Sequence, residues 1–329
     1  MPTGLFDPTV CCACLSSGKR SGAVGTSRVP VCLGTGKTLS YAAFVKRVQT
    51  SRLVFFFWPD KMQHIANLKA LSAEDITGIL DLSSAIKADP KAYENALHRK
   101  SLAMLFQKTS TRTRLSFEVA MTQLGGHGVF IDWQTSNFVL SSIRNESGYV
   151  SRNADCIMAR LMHHSDLLEI IEGSRVPVIN GCCEKFHPCQ ALTDVLTMRE
   201  HAGGDVQGKT LCYVGVQNNV SNSLTLICSK LGINLVLATP EVNDNAESRD
   251  ADVDEIIRTS ATVSHTMDPH EGVAAADFVY TDTWIDMQYF NNPKYKDQKE
   301  ATLARMMPYQ LNEAMIGDRE VRIMHDMPI

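Results

Sequence analysis

Residues 102–126 read LAMLFQKTSTRTRLSFEVAMTQLGG, and they are the clearest indication of the fold class. Its first five residues are apolar, which is typical of a short buried strand. A polar loop follows at residues 107–112, and the apolar residues beyond it recur at helical spacing: Phe117, Ala120, Met121 and Leu124. The glycine pair at 125–126 then ends the helix. The stretch therefore predicts a strand that passes through a polar loop into a helix, as in parallel α/β folds.

The alternation of strands and helices extends to both sides of this stretch. Upstream, Ser72 with Asp75 predicts the N-cap of a helix. Downstream, apolar runs predict strands at residues 129–131, 156–159, 176–179, 211–214, 235–238, 262–264, 278–281 and 322–324. Helical patterns lie between several of them, at residues 187–201, 221–231 and 252–259. We expect an α/β protein with two doubly wound parallel-sheet domains and an active-site cleft between them, because such sheets bind ligands at the carboxyl ends of their strands.

Charge is distributed unevenly along the chain. Residues 1–60 carry seven basic and two acidic residues, a balance of +5, and because the whole chain carries −4 the remainder carries −9. The early residues also show no sustained apolar period, so we expect residues 1–61 to be a poorly structured N-terminal extension. Domains are predicted at residues 62–200 and 201–329. The expected location is the cytoplasm, with the mitochondrion as the alternative if the extension acts as a transit peptide.

The composition argues against several classes of function. No apolar run approaches the ~18 residues of a membrane span, and a net charge of −4 gives no reason to expect a nucleic-acid partner. Three of the ten cysteines, Cys156, Cys212 and Cys228, lie in apolar runs and are typical of small core residues. We therefore expect no metal site, no cofactor and free thiols, which suit a reducing compartment.

The loop at residues 110–114, Ser-Thr-Arg-Thr-Arg, is the strongest candidate for a binding site. It lies between a predicted strand and a predicted helix, and the N-terminus of a helix offers free N–H groups and partial positive charge to an anion. Its hydroxyls and two guanidiniums add donors suited to phosphate oxygens. The alternative is a capped helix with a solvated basic first turn.

Several motifs, in order along the chain, carry a family resemblance. They are residues 106–114 (FQKTSTRTR), Ala159-Arg160, His187-Pro188-Cys189-Gln190, Asn218-Asn219 and Thr281-Asp282-Thr283-Trp284. Over residues 62–329 the chain resembles the aspartate/ornithine carbamoyltransferase family, and the last two motifs favour the ornithine branch. The resemblance implies a homotrimeric enzyme of arginine metabolism that moves the carbamoyl group of carbamoyl phosphate to the δ-amine of ornithine, giving citrulline.

The resemblance also implies roles for individual residues. The carbamoyl-phosphate ligands would be Ser110, Thr111, Arg112, Thr113, Arg160, His187 and Gln190. The ornithine ligands would be Asn219, Asp282, Asp286 and Met287. Catalytic roles are expected for Arg112, Thr113, Arg160, His187, Gln190 and Asp326. Simpler roles remain open for three of these residues: a helix cap for His187, a surface ion pair for Arg160 and the cap of a turn for Asp282.

The sequence departs from the family pattern at four places. His325-Asp326-Met327-Pro328 stands where the family has His-Cys-Leu-Pro, and Asp286-Met287-Gln288 where it has Ser-Met-Gly. Residues 134–148 match the family loop poorly, with Ser141 and Gly148 at its charged positions. The sequence ends at Ile329, so we expect the second domain to be truncated at its C-terminus, without the family's last helix.

These departures leave alternatives open for the acceptor. Asp286 suits another amine such as putrescine, and the altered loop and end suit a catalytically silent relative that binds an anion. Asp326 is expected to be a general base for the acceptor amine, since a carboxylate can take the proton that the amine must lose. Its alternative role is to cap the turn before Pro328.

Overall fold

The computed structural model describes residues 64–240, 246–285 and 293–325. Three residues predicted at the site, Asp286, Met287 and Asp326, lie outside the described residues, as does the predicted extension at 1–61. The described residues belong to one compact unit, which contains two parallel sheets.

The first sheet has four parallel strands in the order β2-β1-β3-β4. They are β1 Ser101–Phe106, β2 His127–Asp132, β3 Cys156–Arg160 and β4 Val178–Cys182. Residues 102–106 of the central strand are all buried, because neighbouring strands and helices cover both of its faces. The strand order reverses between β1 and β3, which makes the carboxyl ends of these two strands the switch point of this sheet.

Five helices accompany the first sheet. They are α1 Ala73–Ala88, α2 Thr111–Gln123, α3 Ile143–Val150, α4 His164–Gly173 and α5 Pro188–His201. The predicted cap of α1 is confirmed, since the Ser72 side chain accepts from the backbone N–H of Asp75 and the Asp75 carboxylate accepts from that of Ser72. No range was predicted for α3 or α4; α3 has only eight residues and contains Gly148, and α4 ends at Gly173.

The second sheet has five parallel strands in the order β7-β6-β5-β8-β9. They are β5 Thr210–Val214, β6 Asn234–Ala238, β7 Val263–Thr266, β8 Phe278–Thr281 and β9 Arg322–His325. Its helices are α6 Asn219–Leu231, α7 Ala251–Thr259, α8 Pro269–Val273, α9 Lys296–Met306 and α10 Glu313–Ile316. Here the order reverses between β5 and β8, so the second switch point carries the loops that begin at residues 215 and 282.

The largest apolar core joins the two sheets. It contains side chains of α1 and α5 from the first half, such as Leu80 and Val195, together with Leu224 of α6 and Leu235 of β6. Burial of this kind stabilises by about 25 cal/mol per Å² of apolar surface removed from water. The predicted fold class, two parallel-sheet α/β domains, is confirmed, whereas the predicted boundaries at 62 and 200 stay a prediction. Within the described residues, no helix is long and apolar enough to cross a membrane.

Candidate active site

The loop after β1 leads directly into α2, as the sequence predicts. Ser110 is the N-cap, and its hydroxyl accepts from the backbone N–H of Thr113 at 3.3 Å. Helix α2 begins at Thr111, and its first turn contains no acidic residue. The free N–H groups and partial positive charge of this turn therefore face the switch point of the first sheet without a competing carboxylate of their own helix.

Arg114, the second arginine of the Ser-Thr-Arg-Thr-Arg loop, contacts Glu118 and Phe130. Arg114 Nε donates to Glu118 Oε1 at 3.0 Å, and its guanidinium lies 3.7 Å from the centre of the Phe130 ring. This arrangement gives Arg114 an ion pair and a cation–π contact on the outer side of α2. The expected contact of Arg114 with an anion stays a prediction, while Arg112 is exposed on the first turn.

Arg160 ends β3 and adjoins the loop. Its strand pairs with β1 so that Arg160 lies opposite Phe106, and the backbone N–H of Gln107 donates to its carbonyl at 2.9 Å. Arg160 Nη1 donates to Thr113 Oγ1 at 3.0 Å, and its buried Nε has no hydrogen-bond partner among the described residues. No ion pair of Arg160 occurs in residues 64–240, 246–285 and 293–325. The surface-pair alternative therefore has no support.

His187 is the N-cap of α5, and the helix fixes its tautomer. Its Nδ1 accepts from the backbone N–H of Gln190 at 3.3 Å, so the ring proton lies on Nε2. Burial, and then the neighbouring charge of Arg160, lower the pKa of His187 to about 3, with Arg112 adding to the effect. The cap role and a functional role are therefore compatible, because capping leaves a neutral imidazole with one N–H to donate.

Gln190 lies on the first turn of α5, and its side chain is held by a residue of the next turn. Its Nε2 donates to Asp194 Oδ1 at 3.0 Å, and Asp194 is completely buried. Sequence reasoning missed Asp194. Its signal was a carboxylate four residues after Gln190, on the same face of the helix.

The second sheet contributes Asp282 at the carboxyl end of β8. Asp282 is 8% exposed, and its Oδ2 accepts from Asn218 Nδ2 at 2.6 Å. Its Oδ1 accepts from the backbone N–H of Thr283 at 2.6 Å, which is a turn contact rather than the cap of a helix. Trp284, two residues on, lies near Gly215 at the end of β5, where a φ of +145° requires glycine.

Asn218 belongs to a motif quoted from the sequence, but no role at the site was predicted for it. It caps α6, where its Oδ1 accepts from the backbone N–H groups of Val220 and Ser221 at 2.9 and 3.1 Å. Its Nδ2 is the donor to Asp282. The sequence signal was an Asn before the helix with Ser221 three residues later, which predicts a cap but not the carboxylate that the same side chain holds.

Asn219, a predicted acceptor ligand, lies where the two halves meet. Its Nδ2 donates to the carbonyl of Cys183, the residue after β4, at 2.6 Å. Two further contacts reinforce this seam: Ser223 Oγ accepts from the backbone N–H of His187 at 2.8 Å, and Asn222 Nδ2 donates to the Lys185 carbonyl at 3.0 Å. Helix α6 is thus tied to the backbone that precedes α5.

Charges of the two halves are close enough to affect one another. His325 ends β9 beside Thr281, and it is 6% exposed. Burial lowers the pKa of His325, Asp282 opposes this shift, and Arg112 from the first half reinforces it. Arg112 lowers the pKa of both His187 at the start of α5 and His325 at the end of β9, so its charge acts on groups of both halves.

The arrangement suits an anionic substrate with a carbonyl beside it. One cationic helix end, the Arg160 guanidinium and a neutral imidazole donor occur together, and a carboxylate lies at the end of β8 for a cation. Among the described residues, no group of three or more His, Cys, Asp or Glu could hold a metal ion.

Comparisons with known proteins agree with this chemistry. Residues 63–200 match the family described as aspartate/ornithine carbamoyltransferase, carbamoyl-P binding domain, and residues 207–329 match the corresponding Asp/Orn binding domain. A catabolic ornithine carbamoyltransferase of Halobacterium salinarum is 38% identical over 81% of this chain and 86% of that protein. One from Archaeoglobus fulgidus is 35% identical over 81% and 85%. The structure of the Pyrococcus furiosus ornithine carbamoyltransferase is 34% identical, with a TM-score of 0.73 over 81% and 85% of the two chains.

Proposed function

The chain belongs to the aspartate/ornithine carbamoyltransferase family, and we propose how its residues transfer a carbamoyl group from carbamoyl phosphate to the δ-amine of ornithine. The chain is a carbamoyl-group transferase, and the relatives favour ornithine as acceptor over putrescine or a silent anion-binding role. One observation supports the proposed roles of the phosphate loop and of His187. The Arg160 guanidinium donates to Thr113 in the phosphate loop and, after burial, is the largest influence that lowers the pKa of His187.

The first step of the proposal is phosphate binding at α2. Ser110, Thr111, Arg112 and Thr113 bind the phosphate through the N-terminal turn, and the unpartnered Nε of Arg160 supplies a further donor. Each charge-assisted bond of this kind contributes about 1.5–3 kcal/mol. The phosphate is therefore held by backbone N–H groups whose direction the helix has already fixed.

The second step is activation of the carbonyl. The Nε2–H of neutral His187 donates to the carbamoyl oxygen, and Gln190 binds the carbamoyl amide. When the amine attacks, negative charge grows on that oxygen, where His187 and Arg160 stabilise it, and Arg112 with Thr113 neutralises the leaving phosphate. The donors are in place before the reaction, so little reorganisation is needed at the moment of transfer.

The third step is placement of the acceptor by the second sheet. Asn219, Asp282, Asp286 and Met287 hold ornithine, and its δ-amine attacks the carbamoyl carbon after losing a proton. We assign that proton to Asp326, which directly follows His325 and so the end of β9. The alternative, that Asp326 only caps the turn before Pro328, predicts wild-type turnover for Asp326→Asn.

Assembly, domain roles and location are further parts of the proposal. The phosphate-binding half is assigned to residues 62–200 and the acceptor-binding half to residues 201–329. We assign the chain to a homotrimer of arginine metabolism in the cytoplasm, and to the mitochondrion if residues 1–60 direct it there. Size-exclusion chromatography with light scattering tests the trimer through its mass.

The test of the function is a steady-state assay of the purified chain. Carbamoyl phosphate is supplied with ornithine, putrescine or lysine, and the carbamoylated product and released phosphate are measured together. Citrulline formed in equal amount with phosphate supports the proposal. Phosphate release without any carbamoylated amine, or a preference for putrescine, would overturn the assignment of ornithine.

A further inference from the structure

We propose that Asp194 fixes the orientation of the Gln190 amide, and that this orientation makes the site select a carbamoyl group over an acetyl group of the same shape. The inference rests on the proposed function, because it takes the acyl phosphate to be bound beside His187. It assigns Asp194 as a positioning residue, since it acts through Gln190.

Asp194 lies one turn after Gln190 on α5. It is completely buried, Gln190 is 7% exposed, and Gln190 Nε2 donates to Asp194 Oδ1 at 3.0 Å. Asp194 also faces α6, because its charge adds to the burial that raises the pKa of the Cys228 thiol. The carboxylate therefore lies on the inner side of α5, and Gln190 separates it from the N-terminus of the helix.

The chemistry of the two groups decides which end of the amide is left for a ligand. Asp194 Oδ1 accepts from Gln190 Nε2, so Asp194 takes the NH₂ end of the Gln190 amide. The Oε1 end accepts no hydrogen bond among the described residues and is not a buried atom lacking a partner. A flipped amide would place Oε1 against a buried carboxylate oxygen, which is unfavourable.

Gln190 thereby presents an acceptor where the acyl group lies. The NH₂ of carbamoyl phosphate can donate to that acceptor, whereas the CH₃ of acetyl phosphate cannot. A buried polar group left without its partner discriminates strongly between such analogues. Gln190 also donates its backbone N–H to His187, so the same turn of α5 positions the donor for the carbonyl and the acceptor for the amide.

The inference is tested by the affinities of carbamoyl phosphate, acetyl phosphate and inorganic phosphate for the full chain, titrated without ornithine. In the wild type, carbamoyl phosphate binds more tightly than acetyl phosphate. Asn at position 194 can donate or accept, so Asp194→Asn lets the Gln190 amide flip. We expect carbamoyl-phosphate affinity to fall about tenfold, and the affinities of the other two ligands to stay within about twofold.

A reciprocal pair of substitutions provides the control. Gln190→Glu places two carboxylates against each other and weakens carbamoyl-phosphate binding. In Gln190→Glu with Asp194→Asn, the asparagine donates to the glutamate, and the other glutamate oxygen is again an acceptor. Carbamoyl-phosphate affinity therefore recovers relative to Gln190→Glu alone. The double variant keeps one carboxylate and one amide in the same volume. It therefore tests the role of Asp194 even if Asp194→Asn alone does not fold.

Three outcomes would overturn the inference. The wild type could bind carbamoyl phosphate and acetyl phosphate equally, or Asp194→Asn could change all three affinities alike. The third outcome is a double variant, Gln190→Glu with Asp194→Asn, that shows no preference for carbamoyl phosphate. Because no acceptor is present, these results are separate from the function. Selective binding of carbamoyl phosphate without citrulline formation would sink the proposed function and leave the role of Asp194 intact.

Discussion

The two halves of the candidate site are built in different ways. In the first half, groups are oriented by the ends of their own helices: Ser110 caps α2, and His187 caps α5 through a residue three positions away. In the second half, Asp282 is oriented by Asn218, which is 64 residues distant in sequence. The first half is therefore set by local backbone geometry, and the second depends on strand ends brought together by the fold.

This difference suggests a division of effects between the two substrates. Local capping fixes the donors for a small rigid anion before it arrives, which is what stabilisation of developing charge requires. The Asp282 carboxylate is held by Asn218 and by its neighbour Thr283, so its position can be changed without disturbing the other sheet. Substitutions in the first half should therefore weaken carbamoyl-phosphate binding or the chemical step, and substitutions that disturb the contact between Asn218 and Asp282 should act on the acceptor alone.

Arg160→Gln should have the largest effect. It removes the guanidinium that donates to Thr113 and that lies near the developing oxyanion, so kcat/KM should fall about 10²–10³-fold. Steady-state citrulline formation measures this. Arg152→Gln is the matched control, because Arg152 is exposed and should leave kcat/KM within about twofold. If the two substitutions lowered kcat/KM equally, the assignment of Arg160 to the site would be wrong.

His187→Gln should lower kcat about 10²-fold and change the pH dependence of stability. The pKa of His187 is depressed to about 3 in the folded chain and is ordinary, 6.5, when unfolded. Its neutral form therefore contributes stability above pH 6.5 that is lost as pH falls towards 3. The variant should lose less thermal stability between pH 7 and pH 4 than the wild type, as followed by circular dichroism. An identical loss in both would show that His187 titrates normally.

Substitution of Asn218 tests whether the second half acts on the acceptor alone. Serine keeps the helix cap but is too short to reach Asp282, so Asn218→Ser should raise the KM for ornithine about tenfold and leave that for carbamoyl phosphate unchanged. Asn218→Ala removes both contacts and should in addition reduce the free energy of unfolding by about 1 kcal/mol. If Asn218→Ser raised the KM for both substrates, the claim that the second half acts on the acceptor alone would be wrong.

Ser110→Ala should have the smallest effect. It deletes one cap, so the free energy of unfolding should fall by about 1 kcal/mol, and the KM for carbamoyl phosphate should rise only a few-fold because the other donors remain. Urea titration and initial rates measure the two quantities. A loss of activity as large as that of Arg160→Gln would mean that the Ser110 hydroxyl contributes as much to phosphate binding as the Arg160 guanidinium.

The contiguous part of the site could be predicted from sequence, and the long-range part could not. The strand–loop–helix around Ser110 follows from patterns within one short stretch. The diversion of Arg114 to Phe130 depends on the neighbouring strand β2, and the bond from Asn218 to Asp282 depends on the order of the second sheet. The packing of α3 against α4, with Gly173 against the backbone of Arg144, is likewise a long-range contact that no local pattern reveals.

The proposed site depends on a neutral imidazole at His187, so the protonation state of this residue is the most informative measurement. With selectively labelled histidine, and the His187→Gln variant to assign its signal, the ¹⁵N shifts of the imidazole are followed from pH 5 to pH 8. The account predicts a neutral ring with the proton on Nε2 throughout, because burial and Arg160 hold its pKa near 3 and the backbone N–H of Gln190 occupies Nδ1. Titration near pH 6.5, or a proton on Nδ1, would contradict it.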